Sequence, residues 1–165
     1  EVSISEDLKS ETPGSSVGDT GDDDVPEPGL LEAWARAAYL DKTPAVASML
    51  VCTADEIQKL NKQYRDKDKA TNVLSFPMQS PEEVDVCLLG DIILCASVIR
   101  QEAEQQVKPL QSHWAHMVVH GMLHLQGYDH IEDEEAKEME QLEIDILQQL
   151  GFDNPYELTA DVKSL

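Results

Sequence analysis

The stretch His120-Gly121-Met122-Leu123-His124-Leu125-Gln126-Gly127-Tyr128-Asp129-His130 decides how this chain is read. Its three imidazoles stand at spacings of four and six. A helix up to Gly127 puts His120 and His124 one turn apart on one face. Gly127 then suits the left-handed conformation that ends a helix and folds the chain back. Past that turn, His130 can approach the same point from outside the helix. Three neutral ring nitrogens converging on one spot, with a fourth position open, form the donor set of a catalytic zinc site.

Two more histidines, His113 and His116, extend the stripe through His120 and His124 at steps of three and four. An ion held by bonds of roughly 2 Å cannot be reached from three successive turns about 5.4 Å apart. A straight helix therefore supplies two ligands, and the third must follow the turn. His113 and His116 are read as neighbours, with His116 a supporting group. The spacing is that of the metzincin motif H-E-x-x-H-x-x-G-x-x-H. The glutamate that serves there as general base is Gly121 here. An ion at this site would still acidify bound water, but no carboxylate at position 121 can take the proton. Peptide hydrolysis by that route is disfavoured.

The 165 residues suggest one domain, and an apolar fraction of 41% can supply its core. No apolar run reaches the roughly 18 residues of a membrane span, and the acidic, polar N-terminus does not read as a signal peptide. The chain opens on Glu1 instead of Met, which suggests a fragment or a processed chain. Cys52, Cys87 and Cys95 are odd in number and lie in apolar contexts. They read as reduced core thiols of a cytoplasmic protein, not as a disulfide frame.

The net charge of −21 argues against nucleic acid until its distribution is considered. Residues 1–29 hold nine acids and one Lys, and 132–145 hold eight acids and one Lys. Lys59, Lys62, Arg65, Lys67 and Lys69 concentrate five of the twelve basic residues in one short segment of net +3. A local basic patch on an acidic body can still meet phosphates.

Along the chain, Glu1–Ser5 alternates like a short edge strand and leads into a Gly/Ser/Asp-rich linker. A helix is expected over about 30–40. An apolar run from Val46 to Val51 reads as a buried strand. Thr53 and Glu56 form a capping box for a helix over about 54–64, with Ile57, Leu60 and Tyr64 inward. Thr71–Pro77 reads as a strand stopped by Pro77, and Cys87–Leu94 as a central strand. Asp91 inside that strand would need a partner if buried. A helix follows over about 96–106. Ser112 is a candidate cap for the histidine helix, whose core face carries Trp114, Val118 and Leu125. The last helix, about 132–150, buries Met139, Leu142, Ile146 and Leu150, opens on acids suited to its N-terminus, and ends at Gly151.

The histidine segment resembles the signature of the YbeY family, bacterial endoribonucleases of ribosomal RNA maturation. Three further segments are similar to that family: Tyr64–Pro77, Leu89-Gly90-Asp91-Ile92 and His113–Val119. The match runs in one register from about Trp34 to Tyr156 and is closest to proteobacterial members. The resemblance implies an α+β, zincin-like single domain, with a small mixed β-sheet of about four strands flanked by five or so helices. Residues 30–156 would form that domain, 1–29 an acidic N-terminal segment and 157–165 a tail. It further implies one Zn2+ per chain on His120, His124 and His130, with His120 and Arg65 catalytic. Arg65, Lys67 and Lys69 would meet RNA phosphates, and His116, Asp129 and Asp91 would support the site. The expected activity is single-strand-specific, metal-dependent endonuclease cleavage of ribosomal RNA, at the 16S 3′ end. The expected partners are single-stranded RNA and the small ribosomal subunit with its proteins, with no DNA and no membrane. A ribosome-assembly factor with a structural zinc, and a metalloprotease, are the competing readings.

Overall fold

The computed structural model describes residues 25–41, 44–78, 87–129 and 131–156. Helix α1 (Pro28–Ala38) begins two residues earlier than the apolar periodicity suggests. Pro28 sits in its first turn, where a missing N–H costs nothing and the proline φ is already helical. Strand β1 (Ala45–Cys52) follows, then α2 (Ala54–Arg65). The capping box forms as read: the Thr53 hydroxyl accepts from the Glu56 N–H at 3.2 Å, and the Glu56 carboxylate accepts from the Thr53 N–H at 3.0 Å. Strands β2 (Val73–Pro77) and β3 (Cys87–Cys95) come next. Helices α3 (Ala96–Gln105), α4 (Leu110–Leu125) and α5 (Asp133–Gln149) complete the order.

The sheet is small and mixed, in the order β1-β3-β2. β3 is central, parallel to β1 and antiparallel to β2. Three strands form among the described residues, where about four were expected; the remaining candidate, Glu1–Ser5, lies outside the described residues. Pro77 ends β2 on the sheet's edge, where a missing N–H is tolerated. It pairs with Gly90, whose φ is +133°. A Cβ at Gly90 would stand 2.2 Å from the Phe76 carbonyl oxygen, so only glycine lets the two strands close.

Side-chain alternation sorts the sheet into two faces. Ala47, Met49, Val51, Ile92 and Leu94 face α1, α4 and α5 in the main core. Cys52, Leu74, Ile93 and Cys95 face α2 through Ile57. Helix α4 is the central pillar: every residue from His113 to Val119 is buried. It packs on β2, β3, α1, α3 and α5. A helix enclosed on all sides carries apolar residues all round, so its core contacts extend well beyond Trp114, Val118 and Leu125. Its N-terminus also differs from expectation. Pro109, not Ser112, precedes the helix, and Ser112 donates back to the Pro109 carbonyl at 2.9 Å.

Candidate metal centre

Two residues fix how α4 carries its histidines. The first is Gly121, buried against the sheet. A Cβ there would lie 3.0 Å from Ile92 Cγ2 and 3.3 Å from Ile92 Cδ1. Position 121 is therefore an approach point between helix and sheet, with no room for the carboxylate a peptidase would carry. The second is Gly127, at φ +102°. The Gly127 N–H donates to the His124 carbonyl and the Tyr128 N–H to the Leu123 carbonyl, both at 3.0 Å. This is the paired closure of a helix by a left-handed glycine, as the sequence predicts. The Gln126 side chain anchors the turn: it donates to the Ala38 carbonyl and accepts from the Leu40 N–H, each at 2.8 Å.

One helical turn apart, His120 and His124 bring their Nε2 atoms within 3.1 Å of each other. The opposite nitrogen of His120, Nδ1, lies 2.6 Å from Oε2 of Glu143 on α5. Oε1 of the same carboxylate lies 2.9 Å from His116 Nε2 and also accepts from the Tyr156 hydroxyl. Glu143 is 1% exposed. Burial opposes its charge, but hydrogen bonds from His116 and His120, and their charges, outweigh burial and hold its carboxyl well below the usual range. An ionised carboxylate only accepts hydrogen bonds. His120 must therefore point an Nδ1 hydrogen at it, which turns Nε2 toward His124. Burial pushes His116 below the ordinary imidazole range, against the opposing pull of Glu143. Its hydrogen sits on Nε2, and its buried Nδ1 has no hydrogen-bond partner.

This arrangement fits a metal ion. Two ring nitrogens 3.1 Å apart can both reach one ion at roughly 2 Å. A carboxylate behind the ligating ring, fixing its tautomer, is the usual support of such a ligand. An open cleft of about 290 Å³ lies beside them, lined by His120, Met139, Glu140, Glu143 and Tyr156. Among the described residues no third donor joins the pair; His130 lies outside the described residues. Asp129, two residues past Gly127, is half-buried.

The other candidates lie elsewhere. Arg65 ends α2 on the opposite face of the sheet, and Arg65, Lys67 and Lys69 are all exposed. Their loop is braced from within. Asp66 takes the left-handed conformation, at φ 61°. Buried Asn61 donates to the Lys69 carbonyl at 3.0 Å, and Gln58 to Asp68 at 3.0 Å. Tyr64 does not point inward: it is 59% exposed and meets Phe76 of the edge strand β2 edge-on at 5.3 Å. Asp91 is half-buried, on the strand face opposite Ile92 and so away from the histidines. His113 belongs to a separate network. Its Nε2 lies 2.8 Å from Glu102, which also accepts from Asn72 at 3.0 Å.

Glu143 and Tyr156 are the residues that sequence reasoning missed. A signal for the first existed. Glu143 is four residues past Met139 and three before Ile146, so it interrupts the apolar stripe of α5. A carboxylate on a buried stripe needs a partner inside.

The family model described as Endoribonuclease YbeY matches residues 29–151. The Endoribonuclease YbeY of Alteromonas mediterranea is 52% identical over 136 residues, covering 81% of this chain and 86% of that protein. The solution structure of TM1509 from Thermotoga maritima superposes with a TM-score of 0.53 at 25% identity, covering 99% of this chain and 93% of that one. With a family model spanning most of its length and a relative this similar, the chain belongs to the YbeY family of endoribonucleases.

Proposed function

We propose that this protein is a zinc-dependent endoribonuclease that cuts single-stranded ribosomal RNA during maturation of the small ribosomal subunit. The observation that carries the reading is the His120–His124 nitrogen pair backed by Glu143. His120, His124 and His130 would hold one zinc ion within a zincin-like fold. When bound, the ion supplies Lewis acidity toward water and a phosphoryl oxygen.

The chain's own residues do the rest. Glu143 keeps the hydrogen of His120 on Nδ1 and so presents the Nε2 lone pair. Gly121 seats the helix on the sheet and leaves no general base at that position, which favours a phosphodiester over a peptide substrate. Arg65 grips a backbone phosphate with its two-pronged guanidinium, a geometry that lysine lacks. Lys67 and Lys69 add an attraction that falls with salt. Asp129 steadies the turn that leads to His130. No helix among the described residues is long and apolar enough to cross a membrane; we place the protein with the ribosome in the cytoplasm, contacting RNA and small-subunit proteins.

The test is a cleavage assay on end-labelled single-stranded and duplex RNA, with a generic peptide as a third substrate. Single-stranded RNA should be cut, chelation should stop the cutting, and added Zn2+ should restore it. Cutting that survives chelation overturns the metal-dependent reading, and cleavage of the peptide alone overturns the nuclease reading.

A further inference from the structure

Tyr156 stands 13 residues beyond Glu143 and reaches it by a built path. Gly151, at φ +95°, ends α5 with the Phe152 N–H donating to the Leu147 carbonyl at 2.9 Å. Phe152 then meets Trp34 edge-on at 5.9 Å, which ties the returning chain to α1. Asn154 Oδ1 accepts from the Tyr156 N–H at 2.8 Å and turns the backbone once more. The Tyr156 ring lands edge-on against His116 at 5.4 Å, and its hydroxyl donates to Glu143 Oε1. Tyr156 is 44% exposed while Glu143 is 1% exposed. The ring is thus a cover over the carboxylate at the mouth of the cleft that both line.

We propose that Tyr156 is a positioning residue: by bonding Glu143 Oε1 it fixes the carboxylate that orients His120, so the C-terminal turn of the chain tunes metal affinity at the histidine pair. Oε1 then receives two hydrogens, from Tyr156 and His116, and Oε2 receives one, from His120. Without the phenol, Oε1 keeps only His116, and water gains access through the cleft. The carboxylate can then rotate, and His120 no longer has a single tautomer. The inference rests on the metal-dependent reading above.

The test is Tyr156→Phe, which keeps the ring and removes only the hydroxyl. Zinc affinity, read by competition with a chromophoric chelator, should fall roughly three- to tenfold, the size of one net hydrogen bond. Ring 15N shifts of His120 in the metal-free protein should move from one tautomer toward a mixture. Glu143→Gln should cost about 10- to 100-fold in affinity, and adding Tyr156→Phe to it should cost nothing more, because the hydroxyl acts through that carboxylate. Wild-type zinc affinity and an unchanged tautomer in Tyr156→Phe overturn the proposal, as do losses that add in the double variant. No readout uses RNA. If Tyr156→Phe weakens zinc but the wild type cuts no RNA, the nuclease reading fails and this one stands.

Discussion

The sheet's two faces carry the two halves of the candidate machinery, and they are built by different physics. On the α4 face, His120, His124, His116 and Glu143 lie in or against the main core, and each bond constrains the next. There the low dielectric makes a satisfied carboxylate strong and an unsatisfied one costly. On the α2 face, Arg65, Lys67 and Lys69 project into solvent from a loop braced by backbone and amide contacts. There the charges are screened, and what matters is their number and reach. A buried site gains geometry from its neighbours, whereas an exposed one keeps whatever chemistry its own side chains possess. One side should fail sharply when a single atom is removed, and the other should weaken by degrees.

The largest effect belongs to the buried side. His120→Ala or His124→Ala should reduce bound zinc to background and cleavage by roughly a hundredfold or more, the scale of several kcal/mol of transition-state stabilisation. Elemental analysis beside a cleavage gel checks both, and a variant without metal that cuts normally would break the comparison. Next is Gly121→Glu, which restores the peptidase residue in sequence. The carboxylate would be driven into Ile92, so stability should fall by about 3 kcal/mol or more in denaturant titration, without any peptidase activity.

The exposed side should respond more mildly. Arg65→Lys should lower cleavage by roughly tenfold, the size of a lost charge-assisted hydrogen bond, while zinc content stays full. A fall in zinc would mean that Arg65 supports the buried side instead. The Glu102–His113–Asn72 network sharpens the contrast by pH. Burial opposes the Glu102 charge, but hydrogen bonds from His113 and Asn72 outweigh it, so its folded carboxyl lies below the reference value of 4.5. The stability it adds is complete above that reference and is lost as pH falls through the folded value. Glu102→Gln should therefore be less stable than wild type at neutral pH by about 1 kcal/mol, discounted for partial exposure. The gap should close under acid, as denaturant midpoints across pH would record. The smallest effect is a gain. Val107, between α3 and α4, holds φ 56° with a β-branched side chain that is 68% exposed. Val107→Gly should raise stability by about 0.5–1 kcal/mol, read as a higher melting temperature.

What could be read without coordinates was local and periodic. The Thr53–Glu56 box, the glycine stops at Gly127 and Gly151, the central place of β3, and the i, i+4 pairing of His120 with His124 depend on neighbours a few residues apart. Tyr64 misled the reading because helical spacing says which residues share a face, but not how much of that face its neighbours cover. Asp91 could be placed in β3 from its apolar neighbours, but its half-buried side chain is assigned to the face opposite Ile92 only by the strand's alternation.

The histidine pair, the turn after it and the basic segment are legible in the sequence alone, since each is a pattern of residue types at short separation. It took the packed fold to show that Glu143, from a different helix, meets His120, that Tyr156, from beyond that helix, meets Glu143, and that Gly121 abuts Ile92. Those contacts join residues at least 13 positions apart. Their existence depends on the angle and depth at which helices pack on a sheet, which the core as a whole sets and no short stretch encodes.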